Sequence, residues 1–194
     1  NEAFGKEARQ NYFTRIYDLA YEICEILKNS DGKRNDSSET TLPKQGAKTV
    51  YLATTTADRN EDRENIARDL RERGHLILPD RQLPFDEETM KGMICQFMER
   101  ADVAIHLLGS SYGMIPEAGD KSIIESQIQI SAQETSNNEM ERLIWLPNQL
   151  KTSEEKQTDF VDRLRVDPAT YQSTDFVEGG FETFKGLVID HFSQ

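Results

Sequence analysis

The chain has 194 residues, a formal net charge of -12, 36% apolar residues and 30% charged residues. That length supports one ordinary domain with a sizeable core and excludes two large ones. The acidity excludes broad contact with a nucleic-acid backbone, which needs clustered Lys and Arg, but leaves room for a small anion held by backbone N–H groups at a helix start.

Residues 11–28, "NYFTRIYDLAYEICEILK", put Phe13, Ile16, Tyr17, Ala20, Ile23, Cys24 and Leu27 at three- and four-residue steps, which predicts an amphipathic helix. Residues 29–47 are polar and rich in Ser, Asp and Lys, and read as a flexible linker. The first helix either packs on the main domain or belongs to something upstream. A start at Asn1 rather than methionine reads as a piece of a longer protein, with an upstream sensor or regulatory region expected.

From Lys48 strands alternate with helices. Strands are predicted over 48–54 ("KTVYLAT"), 75–80 ("HLILPD"), 102–109 ("DVAIHLLG") and 140–147 ("MERLIWLP"), and 173–179 ("STDFVEG") is a weak strand or loop. Helices are predicted over 62–74, 86–101, 122–134, 153–167 and 180–192. The run at 102–109 is apolar almost throughout, as in a strand buried on both faces. The alternation predicts an α/β fold, a five-stranded parallel sheet of flavodoxin-like order 2-1-3-4-5 with helices on both faces. Ligands of such sheets bind at the carboxyl ends of the strands where the order reverses, here between strands 1 and 3. The site is therefore expected between the loop "TTTADR" (54–59) and the loop "GSSYGMIPEAGDKS" (109–122).

Glu125 starts the helix that follows the second of these loops. Ser122-x-x-Glu125 matches a capping box, in which the glutamate reaches back to the serine N–H. Alternatively, Ile124 and Ile128 turn to the core while Glu125 and Gln129 share the other side, leaving a carboxylate at the crevice. The loop after strand 1 has no glycine, so it is neither a dinucleotide fingerprint nor a P-loop. Its threonines and Arg59 can hydrogen-bond a ribose or phosphate, and Asp58 or Asn60 can cap the next helix. His106, among apolar neighbours, reads as a satisfied core histidine. No His/Cys/Asp cluster has metal-ligand spacing. Ser110 and Ser111 lack the G-x-S-x-G elbow. Tyr112 can stack on a flat ring or pack the loop. Cys24 and Cys95 are too isolated for a disulfide framework or a zinc site. A reducing cytoplasm is the expected setting. No apolar run is long enough to span a bilayer and no secretory signal opens the chain, so no membrane partner is expected.

Taken together, "KTVYLATTTADRNEDRENIARDLRERGHLILPDRQLP", "ADVAIHLLGSSYGMIPEAGDKSIIESQ" and "RLIWLP" resemble bacterial Toll/interleukin receptor (TIR) domains, most closely those of prokaryotic defence effectors. The resemblance covers about residues 48–192. It implies a TIR domain over 48–194 that hydrolyses NAD+ as an antiphage effector, with NAD+ as substrate and neither cofactor nor metal. Glu125 matches the catalytic glutamate of that family. The loop after strand 1 matches the one lining the nucleotide site, which implies substrate contacts for Thr54, Thr55, Thr56, Asp58 and Arg59, with Ser110, Tyr112 and Ser122 joining from the loop after strand 3. The loop "PDRQLPF" (79–85) matches the one that mediates self-association and borders the nucleotide site. It implies self-association through Asp80, Arg81 and Phe85, and a substrate contact for Arg81. Many TIR domains carry a tryptophan four residues before the glutamate. Lys121 stands there, which leaves Tyr112 as the candidate aromatic surface. Two other functions compete: a non-catalytic TIR–TIR adaptor, and an enzyme resembling nucleoside deoxyribosyltransferases.

Overall fold

A computed structural model describes residues 46–137, 140–167 and 174–193. The predicted helix over 11–28, and the predicted linker apart from residues 46–47, lie outside these residues.

The strands are β1 (Thr49–Leu52), β2 (Leu76–Leu78), β3 (Val103–Leu107), β4 (Glu141–Pro147) and β5 (Thr174–Gly179). They form one sheet in the order β2-β1-β3-β4-β5, and every pairing is parallel. The helices are α1 (Asn60–Glu72), α2 (Glu87–Met98), α3 (Ile123–Asn137), α4 (Glu155–Val166) and α5 (Phe181–His191), with a 3-10 turn at Ala57–Arg59. This is the flavodoxin-like α/β fold that the alternation of apolar runs and periodic helices predicts. The weak stretch before α5 is a strand, paired along its length with Arg142–Pro147 of β4. Among the described residues it has only one neighbour, and it is half-exposed, which explains its weak apolar signal.

All five residues of β3 are buried, because helices cover both faces of the sheet. On one face, Val50, Leu52, Val103, Ile105 and Trp145 pack against Ile66 and Leu70 of α1 and Phe184 and Val188 of α5. On the other, Tyr51, Leu78 and Ala104 meet Met90, Ile94 and Phe97 of α2. Further along that face, Leu108, Ile144 and Leu146 meet Ile124 and Ile128 of α3 and Phe160 and Leu164 of α4. Local chemistry sets the helix ends. Asp86 caps α2 by accepting the Thr89 N–H at 2.9 Å. Gly74 (φ 96°) ends α1 in a Schellman turn: its N–H donates to the Arg71 carbonyl, and the His75 N–H donates to that of Leu70.

Two loops at the carboxyl ends of the strands are tied together. The Glu117 N–H donates to the Phe85 carbonyl at 2.8 Å, and the Glu87 N–H donates to the Glu117 carbonyl at 3.3 Å. The loop after β2 is thereby bridged to the loop after β3. The latter leads into α3, whose Ile123 N–H donates to the Met114 carbonyl at 2.9 Å.

Candidate active site

The first turn of α3 is capped from one side only. The Ser122 hydroxyl accepts the Glu125 N–H at 3.2 Å, as the capping pattern predicts. The Glu125 carboxylate does not reach back. Ile124 and Ile128 enter the core, and the 3.6-residue period turns Glu125 towards α4. There it is 3% exposed. Burying a carboxylate is costly unless its oxygens are satisfied, and three donors satisfy them. The Tyr112 hydroxyl donates to Oε2 at 2.6 Å, and the Arg163 guanidinium and the Gln129 amide donate to Oε1 at 3.0 and 3.2 Å.

Tyr112 is held as firmly as the carboxylate. Its ring meets Phe160 edge-on at 6.1 Å, and its N–H donates to Glu154 Oε2 at 2.8 Å. Burial and the hydrogen bond to Glu125 push its phenol above the ordinary tyrosine range, so it stays a donor well into alkaline solution. Above this group opens a polar cleft of about 390 Å³. Tyr112, Glu125 and Arg163 line it, with Lys121, Lys156, Asp120 and Asp159 around them. Lys156 stands 5.9 Å from the Tyr112 ring centre.

The loop after β1 builds a separate cluster. Gln127 lies two residues beyond Glu125 and therefore on the opposite side of α3. Its Oε1 accepts from the Tyr51 hydroxyl at 2.7 Å and from the Thr54 N–H and hydroxyl at 2.9 and 3.1 Å. Its amide returns a bond to the Thr54 carbonyl at 3.1 Å. Thr55 donates to Asn60 and Thr56 to Asp58. Asp58 Oδ2 accepts the Ser110 N–H at 2.8 Å and its hydroxyl at 3.0 Å. Burial works against the Asp58 carboxylate, yet the bonds from Thr56 and Ser110 outweigh it and hold its pKa below the usual value. Gly109 makes this close approach possible, since a Cβ there would run into the Thr56 hydroxyl and the Asp58 carboxylate. Arg59 pairs with Asp62 at 3.0 Å and lies 5.4 Å from the Trp145 ring centre.

The structure thus sorts the predicted residues into three places. Glu125 and Tyr112 come together at the cleft, and Ser122, fully buried, caps the helix through the Glu125 N–H. Thr54 meets α3 through Gln127, on the side away from the carboxylate, while Thr55, Thr56, Asp58, Arg59 and Ser110 belong to the polar cluster at the carboxyl ends of β1 and β3. Asp80, Arg81 and Phe85 are exposed in the loop after β2, with Arg81 5.6 Å from the Phe97 ring centre. Phe85 is 62% exposed, and the loop after β3, which is bonded to it through Glu117, exposes Met114 and Ile115 as well. The topological rule puts the start of α3 at the carboxyl end of β3, as it is in the structure, while the helical period aims the Glu125 carboxylate towards α4. Arg163 has no signal in sequence: it falls inside the helix predicted over 153–167, and its contact with Glu125 spans 38 residues.

His106 is buried as expected, but neither ring nitrogen has a hydrogen-bond partner among the described residues. Burial and the nearby Arg142 cation depress its pKa to about 3, so it is a neutral ring in the core. Among the described residues no cluster of His, Cys, Asp or Glu is placed to hold a metal ion. Among them, too, no helix is long and apolar enough to cross a membrane.

The family model described as Domain of unknown function (DUF4062) matches residues 49–181. No curated protein and no solved structure matches the chain.

Proposed function

The chain belongs to the family described as Domain of unknown function (DUF4062), and from the chemistry of its cleft we propose that it is an NAD+ glycohydrolase with Glu125 as the catalytic residue. The observation that carries this reading is a carboxylate only 3% exposed, gripped by Tyr112, Arg163 and Gln129 at the floor of a polar cleft. The resemblance to TIR domains adds the substrate. Lys121, Lys156 and Arg163 at the cleft suit the diphosphate of a dinucleotide.

The reaction breaks the bond between ribose C1′ and the nicotinamide nitrogen. Its electron pair leaves with nicotinamide, which is already cationic in NAD+ and so needs no proton from an acid. C1′ becomes oxocarbenium-like, as in glycoside hydrolysis. Glu125 accepts the ribose hydroxyls in place of Arg163 or Gln129, and its fixed negative charge stabilises the cation that develops. Tyr112 keeps the carboxylate in place while this exchange occurs. Water then adds its hydroxyl to C1′ and releases a proton, giving ADP-ribose. An adenine nitrogen attacking instead gives a cyclic isomer. Substrate contacts fall to Tyr112, Lys121, Lys156 and Arg163. The loop after β1 supports α3 from behind through Gln127.

The test is to force assembly of the protein on a carrier and measure nicotinamide release from NAD+, wild type against Glu125→Gln. We expect the variant to lose about two orders of magnitude or more, the scale of one key transition-state contact. No release by the assembled wild type, or an equally fast variant, ends the enzyme reading.

One observation favours a second reading, a self-associating adaptor in a cytoplasmic signalling protein. Phe85, Met114 and Ile115 are 62%, 55% and 37% exposed on two bridged loops. In that case Phe85→Ser abolishes association and Glu125→Gln changes nothing.

A further inference from the structure

Glu125 borders two cavities. One is the polar cleft described above. The other holds about 200 Å³ between α3, β4 and α4. Glu125, Gln129 and Arg163 belong to both linings, so the Glu125–Arg163 ion pair stands as the partition between them.

The two cavities differ in chemistry. Lys121, Lys156, Asp120 and Asp159 line the outer one. The inner one is walled by Ile128, Phe160 and Leu164, which are 3%, 3% and 7% exposed, and by Ala132. At its floor lies Arg142, only 1% exposed. Its guanidinium donates to the Ile128 carbonyl at 3.3 Å and the Thr174 hydroxyl at 2.8 Å, so its plane is fixed. Burial lowers its pKa to about 10, which still leaves it charged at neutral pH. Asp167 completes the polar end. Apolar walls, an aromatic neighbour and one polar end with both donor and acceptor suit a flat ring that carries an amide.

We propose that the inner cavity is the subsite for the leaving base, a heteroaromatic ring bearing a carboxamide that becomes neutral as it leaves, and that Arg163 is the movable wall through which it loads. The inference rests on the glycohydrolase reading and deepens it. In a dinucleotide the scissile carbon lies between the base and the diphosphate. Here a carboxylate lies between a cavity fit for a base and a cleft fit for phosphates. Arg163 can move aside because its side chain is 62% exposed while Glu125 stays covered, and Tyr112 and Gln129 keep hold of the carboxylate. With that wall open the two cavities join around Glu125.

Nicotinamide and ADP serve as separate probes, with binding measured by calorimetry and saturation-transfer NMR. Ala132→Met fills the inner cavity without touching the Glu125 donors, and Leu164→Phe does so from the opposite wall. Thermal melting identifies which of the two variants is folded. The expected result is a loss of nicotinamide affinity of about tenfold or more in the folded variant with ADP binding unchanged, and the reverse pattern in Lys156→Ala. Nicotinamide binding unchanged in a folded, filled variant overturns the subsite, as does the absence of nicotinamide binding by the wild type. The two readings fail separately. NAD+ cleavage with nicotinamide binding insensitive to Ala132→Met removes the subsite and keeps the enzyme. Nicotinamide binding that Ala132→Met abolishes, in an assembled protein that releases none from NAD+, keeps the subsite and removes the enzyme.

Discussion

Tyr112→Phe deletes one oxygen and keeps the ring, so it removes the hydrogen bond that holds Glu125 together with the phenol's contact to the Ser122 N–H. The edge contact with Phe160 survives, because the phenyl group occupies the same space. The lost bond is 2.6 Å long, buried, and made to a carboxylate. Bonds of that kind contribute about 1.5–3 kcal/mol. Glu125 keeps Arg163 and Gln129, which places the cost near the lower part of that range, at about 2 kcal/mol. With a urea slope of about 2 kcal/mol per molar for a domain of this size, the unfolding midpoint falls by about 1 M. The pH dependence gives a second, independent reading. The folded phenol has a raised pKa, so its contribution is complete below the unfolded value of about 10. Above that pH the unfolded chain sheds the proton first and stability falls. The advantage of wild type over Tyr112→Phe therefore narrows as pH rises past about 10. Urea melts at neutral and alkaline pH, followed by Trp145 fluorescence, measure both effects. A midpoint shift under about 0.3 M with an unchanged slope, or an alkaline trend shared by the variant, refutes the account of a buried phenol gripping the carboxylate.

Gln127→Ala strands the donors of Tyr51 and Thr54 and should cost about 3 kcal/mol, with faster hydrogen exchange at the Thr54 amide. A loss under about 1 kcal/mol would show that water replaces the amide at no cost. His106 predicts an acid-sensitive core. Its depressed pKa means that the unfolded chain binds the extra proton first, so stability is full above about 6.5 and declines towards the folded pKa of about 3. His106→Leu should remove up to about 1.4 kcal/mol per pH unit from that slope. An unchanged slope would mean that the acid limit comes from carboxylates alone.

The sheet was readable because its signals are local. The buried runs of β3 and β4 are apolar almost without interruption, Gly74 marks the end of α1, and a helix between successive strands allows the parallel pairing that a short turn does not. β5 was half readable, since an edge strand with Asp175 and Glu178 facing outward carries little apolar pattern. The site was readable only in part. Ser122 and Glu125 announce a helix start, and topology puts that start at the carboxyl end of β3. Which neighbour the carboxylate meets depends on the packing of α4, and Arg163 is invisible until that packing exists. Gln127 is equally silent in sequence, because its partners lie 73 and 76 residues away.

The bridge between the loops after β2 and β3 ties the exposed surface mechanically to the cleft. Phe85 is fastened to Glu117, whose loop is anchored through Met114 to Ile123, the first residue of the helix that carries Glu125. A load on the apolar tip thus reaches the helix cap through backbone bonds, with no flexible side chain in series. Whatever grips Phe85 and Met114 therefore bears on the frame on which the carboxylate is mounted.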